Sequence, residues 1–452
     1  MKEIIENQRT FFNTLVTKDI QFRRKQLKTL HKALKDNEQL LHEAIYKDFK
    51  KSEFDSYTTE LALLYKDIRE ARKMISKWAR KERVSTGIIN FPASSYIVPE
   101  PLGVCLVIGA WNYPYQLSFA PVIAAIAAGN TVVLKPSELP KHTSAAMAKI
   151  VEENFDPAFF TVIEGGVEET QELLSQQFDK IFFTGSTKVG KIVYKAAAEN
   201  LTPVTLEMGG KSPAIITESC NLKTTVKRVV WGKLLNAGQT CIAPDYVLVH
   251  KSIEGKFIEQ LKSEITSQDF SFEKDNYVQI INDSNFERLK RMLIPEKIVF
   301  GGETDSENRY IQPTLMTGVS LEDEVMQEEI FGPILPIITY ETLDQAIRVV
   351  KKFPKPLACY VFTQKKSEKK RIQNEISFGG GAINETVMHI TNPNLPFGGV
   401  GPSGIGNYHS EAGFKAFTHY KSIMDKPTWF DPFVRYSPHT SFRYKLMRWL
   451  MK

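Results

Sequence analysis

Two residues of the sequence have types and neighbours that suit chemistry on a carbonyl group. Cys241 ends the segment Asn-Ala-Gly-Gln-Thr-Cys, whose small and polar residues permit close approach of a substrate, and a thiolate adds readily to a carbonyl carbon. Glu207 follows the apolar stretch Val204–Leu206 and precedes Met-Gly-Gly-Lys, so its carboxylate is placed to act on a ligand at the end of a strand. By residue type alone, Cys241 also fits a core thiol, and Glu207 fits an exposed turn residue or a partner for Lys211.

An asparagine is the third candidate for chemistry. Asn112 lies in Gly-Ala-Trp-Asn-Tyr-Pro, directly after the apolar stretch Val104–Ile108. Its side-chain amide can donate a hydrogen bond to an oxyanion that forms on a substrate. An Asn shortly before a proline also commonly shapes a turn, so both roles stay open at this point.

Two further segments are candidates for holding phosphate and ribose. Gly185–Gly190 lies between an apolar stretch and a helix-like stretch, and a helix N-terminus after a glycine turn accepts phosphate. Thr187 replaces the second glycine of the standard dinucleotide fingerprint, so a plain strand-to-helix turn also fits. Lys135–Glu138 places a cation, a hydroxyl and a carboxylate after the stretch Thr131–Leu134, which suits a ribose and its phosphate or an ordinary polar loop.

Composition and charge exclude several classes of protein. The chain has 452 residues, of which 42% are hydrophobic and 24% are charged. These values are ordinary for globular proteins and exclude a mostly disordered chain. The net charge of +6 is mild for this length and gives no reason to expect a nucleic acid as partner.

The cysteines predict a reducing compartment. Cys105, Cys220, Cys241 and Cys359 are few, scattered and without the spacing of a zinc site, so we expect a cytoplasmic protein without a metal. Apart from Cys241, the cysteines fit structural roles. Residues 1–10 are polar and charged, unlike a signal peptide, and no stretch approaches the roughly 18 apolar residues of a membrane-spanning helix.

The spacing of apolar residues predicts an α/β fold. Residues 1 to about 83 follow helical spacing with a break at Asp36-Asn37, and residues 84–98 resemble a hairpin or arm. Short apolar stretches then alternate with helix-like stretches, as in a parallel sheet with buried strands. The predicted strands are Val104–Ile108, Thr131–Leu134, Phe160–Ile163, Ile181–Phe183 and Val204–Leu206. A second alternation runs from Pro213 to about residue 390.

Seven motifs, in order, carry a resemblance to a known family. They are Trp111–Pro114, Lys135–Glu138, Phe183–Ser186, Leu206–Lys211, Gly238–Cys241, Glu329–Pro333 and Pro396–Gly399. With these motifs the sequence resembles the aldehyde dehydrogenase superfamily, most closely its class 3 branch, from the N-terminal helices to about residue 428. The resemblance implies a Rossmann-like NAD(P)-binding domain (1–83 and 103–208), an α/β catalytic domain (209–392) and a bridging element for oligomerisation (84–102 and 393–428), followed by a C-terminal tail (429–452).

The resemblance implies covalent oxidation of an aldehyde to a carboxylic acid. The thiolate of Cys241 adds to the aldehyde carbon, while the Asn112 amide and the backbone N–H of Cys241 hold the oxyanion. Hydride then leaves the thiohemiacetal for the nicotinamide, and Glu207 activates the water that hydrolyses the remaining thioester. The alternatives from other classes are a thiol esterase and a catalytically inactive binding protein on the same fold.

The resemblance also implies a site for NAD, with NADP as an open alternative. Glu329 and Phe331 match residues that position the nicotinamide ribose and ring, and Lys135 and Glu138 match residues at the adenosine ribose. The Glu138 carboxylate would bond the ribose 2′-hydroxyl and repel a 2′-phosphate, which favours NAD. The full set expected at the cofactor is Trp111, Lys135, Ser137, Glu138, Gly185, Ser186, Val189, Gly190, Glu329 and Phe331.

Substrate and partners follow from the same resemblance. It implies a medium- or long-chain aliphatic, aromatic or terpenoid aldehyde, with Tyr113, Tyr115 and His389 as pocket residues, and it implies a homodimer. Residues 441–452 are basic and aromatic with helical spacing, which suits weak contact with an anionic membrane surface or packing on the body of the protein.

Overall fold

The computed structural model describes residues 1–451, so Lys452 of the predicted tail lies outside the described residues. The chain begins with the helices α1 Lys2–Asn13, α2 Ile20–Asp36, α3 Glu38–Phe49, α4 Glu53–Ser56 and α5 Ala62–Trp78. A π-helical turn, Tyr57–Leu61, joins α4 to α5. Apolar residues at helical spacing bury one face of each long helix. The predicted N-terminal helices and the break at Asp36-Asn37 are confirmed, although the helices end at Trp78 rather than near residue 83.

Residues 82–207 form alternating strands and helices. The strands are β1 Glu82–Val84, β2 Ser94–Pro101, β3 Val104–Ile108, β4 Thr131–Lys135, β5 Phe160–Val162, β6 Lys180–Thr184 and β7 Val204–Glu207, and the helices are α6 Pro114–Ala128, α7 Lys141–Asn154, α8 Val167–Leu174 and α9 Thr187–Glu199. All five strands predicted between residues 104 and 206 are present, with ends that agree to within one residue. Every residue of β3, β4 and β6 is buried, as expected for strands covered on both faces.

The rest of the chain repeats this alternation. The strands are β8 Pro213–Ile216, β9 Tyr246–His250, β10 Ile298–Phe300, β11 Thr304–Asp305, β12 Tyr310–Ile311, β13 Thr314–Met316, β14 Ile334–Tyr340, β15 Ala358–Phe362, β16 Gly380–Ile383, β17 Gly404–Ile405 and β18 Thr418–Asp425. The helices are α10 Leu222–Leu234, α11 Glu254–Gln268, α12 Asp283–Arg291, α13 Glu324–Gln327, α14 Leu343–Lys352, α15 Lys366–Glu375, α16 Ser410–Ala416 and α17 Ser441–Leu450. The predicted second alternation is confirmed, since β8 starts at Pro213 and β16 ends at Ile383.

Two large sheets organise these elements. One has six strands in the order β17-β7-β6-β3-β4-β5, and the other has seven in the order β10-β13-β14-β9-β8-β15-β16. Only β17 and β10 run antiparallel to their neighbours. The α/β fold class is therefore confirmed, and the carboxyl ends of the parallel strands meet at one edge of each sheet. The domain boundaries given above stay a prediction.

A third sheet is antiparallel and has the order β1-β2-β18. Val84 lies opposite Ser95, which confirms the hairpin interpretation of residues 84–98. The strand β18 pairs with β2 along its whole length and leaves its other edge without a strand partner among the described residues. Within residues 1–451, no helix is both long and apolar enough to cross a membrane.

Helix α6 is the central support of the candidate site. Its sequence is apolar all round, and all of its residues but Ala124 are buried, as expected for a helix covered on every side. It packs against α2 and α5 on one side and against β3 and β4 on the other. Since α6 is fixed in the core, the turn that precedes it, residues 109–113, is held at the carboxyl end of β3.

Candidate active site

A cavity of about 750 Å³ lies where the loops of the two large sheets meet. Its wall includes residues that end or follow the parallel strands β3, β4, β6 and β7, together with residues of the second half of the chain. The size is typical of a site for a small molecule or cofactor. The predicted site residues on its wall are Trp111, Asn112, Lys135, Ser137, Glu138, Gly185, Ser186, Val189, Glu207, Cys241, Glu329 and Phe331.

Two predicted site residues lie behind this wall. Gly190 is buried in the first turns of α9, where an added Cβ would lie 2.5 Å from the sulfur of Met208, so it permits close packing of α9 on the chain after β7. Tyr115 is fully buried, and its hydroxyl donates to the carbonyl of Leu41 at 2.7 Å. The structure does not bring Tyr115 to the cavity.

Two other predicted pocket residues, Tyr113 and His389, are also not on the cavity wall. The hydroxyl of Tyr113 is hydrogen-bonded to that of Thr240 at 2.6 Å, next to Cys241. The His389 ring packs edge-on against Tyr360, with ring centroids 5.9 Å apart. Burial lowers the pKa of His389 to about 4, so this imidazole is neutral near pH 7.

Cys241 follows a turn with unfavourable backbone angles. After α10 ends at Leu234, the residues Asn236, Ala237 and Gly238 have φ values of 55°, 51° and 74°. Left-handed angles at residues other than glycine cost about 1–2 kcal/mol each. Such a turn persists only where its surroundings hold it.

Side-chain amides hold this turn. Asn236 Nδ2 donates to the carbonyls of Asn112 at 3.0 Å and of Gln239 at 3.1 Å. Gln239 in turn donates through Nε2 to the carbonyl of Gln279 at 3.1 Å and accepts from the N–H of Ile281 at 3.0 Å. These bonds tie the turn before Cys241 to the turn before α6 and to residues 279–281.

Asn112 is buried and keeps part of its amide free. Its Nδ2 donates to the carbonyl of Gln239 at 3.0 Å. A side-chain amide has two N–H groups, so one of them is available to a further acceptor. Because Asn112 and Cys241 both line the cavity, that acceptor can be an oxygen of a molecule bound at the thiol.

Glu207 is a buried carboxyl group that has no protein partner among the described residues. It ends β7 with 2% of its surface exposed, and neither of its oxygens accepts a hydrogen bond there. Burial raises the pKa of Glu207 well above its usual range. A buried carboxyl group without partners is costly, so this side chain is suited to a partner that enters the cavity.

The charges of the cavity also act on the thiol. Burial raises the pKa of Cys241, and the negative charges of Glu329 and Glu207 raise it further. Burial and then the charge of Asp245 raise the pKa of Glu329 itself to about 8. The thiol and both carboxyl groups are therefore coupled, and the protonated forms are favoured when the cavity holds no other charge.

The start of α9 fits a phosphate. Gly185 approaches the ring of Phe183 so closely that a Cβ would lie 2.6 Å from it. The Ser186 hydroxyl accepts from the N–H of Val189 at 3.3 Å, which leaves other first-turn N–H groups without intrahelical partners. Since Ser186, Thr187 and Val189 line the cavity, this positive helix end is open to an anion.

The loop after β4 fits a ribose. The Lys135 ammonium donates to the carbonyl of Pro136 at 2.8 Å, and the Ser137 hydroxyl accepts from the N–H of Leu139 at 3.3 Å. Burial lowers the pKa of Lys135, and Glu138 opposes this effect. Glu138 is exposed at the edge of the cavity, where its carboxylate is free to accept from a hydroxyl.

The residues 328–331, which we call the Glu329 loop, close the other side of the cavity. Arg288 donates to the carbonyls of Glu329 at 3.2 Å and of Ile330 at 2.7 Å. Phe331 has a φ of 53°, and its ring meets Trp111 with centroids 5.3 Å apart in an edge-to-face contact. Between the start of α9 and the Glu329 loop, the cavity offers backbone N–H donors, carboxylates and aromatic rings. Together these groups fit an extended dinucleotide.

Sequence reasoning missed several residues of the wall. Phe397 belongs to one of the seven motifs, but the motif alone predicts no role for it. Tyr408 and Arg288 lie outside all seven motifs. The Tyr408 hydroxyl is buried and lacks a hydrogen-bond partner among the described residues. Residues 1–451 contain no group of three or more His, Cys, Asp or Glu side chains that could hold a metal ion.

Known proteins resemble this chain in both sequence and fold. The sequence profile of the Aldehyde dehydrogenase family matches residues 1–423. The chain is 49% identical to the 4,4'-diaponeurosporen-aldehyde dehydrogenase of Staphylococcus aureus over 96% of either chain. It is 42% identical to the dimeric NADP-preferring aldehyde dehydrogenase of Rattus norvegicus over 94% of either chain. The fold matches the solved substrate-bound state of Staphylococcus aureus AldH with a TM-score of 0.97 and 47% identity, covering 100% of this chain and 99% of that one.

These findings agree with the resemblance drawn from the motifs. The family match spans almost the whole chain, and the relatives are named as aldehyde dehydrogenases, some of them NADP-preferring. A cavity that fits a dinucleotide and contains a thiol is what such an NAD(P)-dependent oxidoreductase requires. The chain belongs to the aldehyde dehydrogenase family.

Proposed function

We propose that this chain oxidises an aldehyde to a carboxylic acid through a covalent intermediate on Cys241. The observation that carries this proposal is the convergence of Cys241, Glu207 and Asn112 on one cavity. The same cavity contains the open start of α9 and the Glu329 loop, where a cofactor fits. A nucleophile, a proton acceptor and an amide donor are the groups that acyl transfer to water requires.

The first half of the reaction forms a carbon–sulfur bond. The thiol of Cys241 loses its proton through the cavity carboxylates to solvent, and the sulfur adds to the aldehyde carbon. The carbonyl oxygen then becomes negative and accepts from the free N–H of the Asn112 amide and from the backbone N–H of Cys241. Removal of one such donor typically costs about 10²–10³ in rate.

The second half releases the product. NAD(P)⁺, when bound, supplies the acceptor for the hydride that leaves the aldehyde carbon. Asn112 holds the oxygen until the carbonyl double bond forms again, and a thioester remains on Cys241. Glu207 takes a proton from a water molecule, the water oxygen bonds to the thioester carbon, and the carbon–sulfur bond breaks to release the carboxylic acid and the Cys241 thiolate.

The cavity also supports a proposal on cofactor choice. We propose that NAD is used and that NADP is accepted. The exposed Glu138 carboxylate suits a ribose 2′-hydroxyl and opposes a 2′-phosphate, whereas the cation of Lys135 in the same loop reduces that repulsion. Trp111 and Phe331 would flank the nicotinamide, and the start of α9 would receive the pyrophosphate.

Apolar residues of the cavity wall support an apolar substrate. Leu117, Leu357, Phe397 and Tyr408 belong to the cavity wall, and they offer apolar and aromatic surface to a chain or ring. The Staphylococcus aureus relative is named for a terpenoid-type aldehyde. We propose a medium- or long-chain aliphatic, aromatic or terpenoid aldehyde, which a comparison of kcat/KM for short, long and aromatic aldehydes would test.

The decisive experiment measures NADH formation with an aldehyde. Cys241→Ser should lower the aldehyde-dependent rate by about 10³-fold or more, while Cys220→Ser serves as a matched control and should keep the rate. An undiminished rate in Cys241→Ser would overturn the proposal. Ester hydrolysis without aldehyde-dependent NAD reduction would favour the thiol esterase, and the absence of both activities would favour the inactive binding protein.

We also propose that two copies of the chain form a homodimer. The free edge of β18 supports this, since an eight-residue edge strand is a template for pairing with another chain. Tyr420 and Met424 are exposed on this strand. Light scattering should give twice the chain mass of 51.4 kDa for the natural protein and a lower mass for Tyr420→Asp/Met424→Asp. A single-chain mass for the natural protein would overturn the proposal.

The C-terminal tail supports a weak membrane contact, which we also propose. None of the residues of α17 is buried, and Phe442 and Trp449 are largely exposed beside Arg443 and Arg448. A basic aromatic helix binds anionic lipid surfaces. Deletion of residues 441–452 should abolish cosedimentation with anionic vesicles, and unchanged cosedimentation would contradict the proposal and favour packing of the tail on protein.

A cytoplasmic location is the last part of the proposal. All four cysteines are free, which suits a reducing compartment. Cell fractionation should recover most of the protein with a cytoplasmic marker, with the membrane fraction reduced by high salt because the tail contact is electrostatic.

A further inference from the structure

A buried ion pair lies among the N-terminal helices, outside the cavity wall. The Lys51 ammonium is 2.7 Å from a carboxylate oxygen of Glu60, and the two side chains are 1% and 0% exposed. Burying two charges removes their hydration, so such a pair is weak evidence for stability. The contacts that the two side chains make with their neighbours therefore indicate what the pair does.

Glu60 caps the N-terminus of α6, which receives no cap from the side chain of its own N-cap residue. Its second oxygen accepts from the backbone N–H groups of Tyr115 at 2.8 Å and of Gln116 at 3.2 Å. Pro114, the first residue of α6, has no N–H, and Tyr113 makes no side-chain cap. Glu60 therefore satisfies two first-turn N–H groups that would otherwise be buried without partners.

Lys51 connects the same pair to the nucleophile. Its ammonium lies 4.1 Å from the centre of the Tyr113 ring, a cation–π contact that is strong when it is removed from water. The Tyr113 hydroxyl is bonded to Thr240, the residue before Cys241. Tyr113 also directly follows Asn112, so the pair contacts the chain next to Asn112 and is connected to the Cys241 turn through Tyr113.

The local backbone of Glu60 is a second, independent observation at this contact. Glu60 lies in the π-helical turn Tyr57–Leu61. Such turns are rare, shift the side-chain register of a helix and occur frequently at functional sites. Here the turn lies where Glu60 meets the start of α6.

We propose that the Lys51–Glu60 pair positions the catalytic centre. Glu60 fixes the start of α6 and with it Asn112, and Lys51 fixes Tyr113 against Thr240 and with it Cys241. Neither Lys51 nor Glu60 lines the cavity, so both are positioning residues rather than catalytic ones. The proposal rests on the proposed function, because it requires Cys241 to be the nucleophile.

The test uses variants that keep shape and remove charge. Lys51→Met and Glu60→Gln should each lower kcat for aldehyde oxidation about tenfold or more, because small misplacements of reacting groups are costly. The dissociation constant of NAD should stay within about twofold. Hydrolysis of an activated ester by the cofactor-free protein, which uses the same thiol and oxyanion donors, should fall by a similar factor. Lys51→Arg preserves the charge and the ring contact and should keep most of the kcat.

The chain provides a matched control in Asp48. This carboxylate of α3 caps α7 in the same manner, accepting from the N–H groups of His142 at 3.0 Å and Thr143 at 2.8 Å, but neither His142 nor Thr143 lines the cavity. Asp48→Asn should lower the midpoint of thermal unfolding as Glu60→Gln does and yet keep kcat. If Lys51→Met and Glu60→Gln also lower only the midpoint, the pair is merely structural and the proposal is overturned.

Two further outcomes keep the test decisive. Should Glu60→Gln fail to fold, Lys51→Met/Glu60→Gln leaves no unpaired buried charge, and this double variant must show the same loss of kcat with an intact NAD dissociation constant. A natural protein without aldehyde-dependent NADH formation would refute the proposed function. Full activity in the natural protein and in the double variant would refute the positioning role alone.

Discussion

Helices α6 and α9 begin at the same cavity, but their N-termini have opposite surroundings. Each follows a buried parallel strand of the six-stranded sheet, β3 and β6 respectively. The first turn of α9 is capped by its own Ser186 and faces the cavity. The first turn of α6 is buried and receives the carboxylate of Glu60, which is 55 residues away from Tyr115 along the chain.

The difference lies in which anion occupies the positive end of the helix. Unpaired N–H groups and the helix dipole attract negative charge to any helix N-terminus. At α6 the protein supplies a carboxylate itself, so the helix start becomes a fixed support for Asn112. At α9 it supplies only a neutral hydroxyl, so the helix start stays available to a ligand phosphate. The same strand–turn–helix arrangement, used twice, would thereby support the proposed catalysis at α6 and the proposed binding of the cofactor at α9.

The largest effect is expected at the catalytic end. Glu207→Gln removes the group that takes a proton from water in the proposed mechanism, so steady-state turnover should fall by about 10²–10⁴-fold. The first turnover should still produce a burst of NADH, because the other cavity carboxylate, Glu329, remains to pass on the proton of the Cys241 thiol. Stopped-flow measurement of NADH separates the two phases, and the NAD dissociation constant should be unchanged if the two ends of the cavity are independent.

The control for this variant is Glu199→Gln at the exposed end of α9, which should leave both phases intact. A full steady-state rate in Glu207→Gln would rule out the general-base role. A large loss of NAD affinity in that variant would instead break the division of the cavity into a catalytic and a cofactor end.

A smaller effect is expected at the open helix start. Ser186→Asp keeps a good cap for α9 but places a carboxylate where the ligand phosphate should bind. The NAD dissociation constant should rise about tenfold, which is within the range of about 0.3–2 kcal/mol for a charge at a helix end. The midpoint of thermal unfolding should stay the same or rise, and kcat at saturating NAD should be preserved.

Ser186→Asn is the matched neutral variant, since Asn and Asp are equally good caps. It should bind NAD nearly as well as the natural protein. Equal NAD affinity in Ser186→Asp and Ser186→Asn would show that no phosphate lies at this helix end, and the comparison with α6 would lose its basis.

The sequence was sufficient to predict the strand–turn–helix structure at the start of α9, because its residues are consecutive in the chain. The strand β6, the glycine turn and the helix are consecutive, and the cap joins residues three apart. The same holds for Glu207 and Lys135, which directly end their strands. Periodicity and strand–turn–helix order are sufficient to place such residues on one edge of a sheet.

The α6 end could not be predicted in the same way because its contacts are long-range. The cap by Glu60 and the bond between Tyr113 and Thr240 join segments 55 and 127 residues apart. Tyr115 is among the pocket residues that the resemblance implies, yet it belongs to α6 and its hydroxyl donates instead to the carbonyl of Leu41. Which face of a helix meets which neighbour is decided by packing, and no local pattern encodes it.

The smallest expected effect concerns Glu329, which lies between the two ends of the cavity. Burial and the charge of Asp245 raise the pKa of Glu329 from 4.5 to about 8. Between these values the folded chain binds more protons at this group than the unfolded chain does. The free energy of unfolding therefore falls as the pH rises through this window, by less than the limit of about 1.4 kcal/mol per pH unit for one group.

Glu329→Gln removes this proton, so its free energy of unfolding should fall less steeply between pH 5 and pH 8 than that of the natural protein. Urea unfolding at several pH values measures the two slopes. Glu322→Gln, a nearby exposed position, should retain the natural slope. If Glu329→Gln retained it as well, the carboxyl group would be charged throughout this range, and burial would not be holding Glu329 in its protonated form in the cofactor-free cavity.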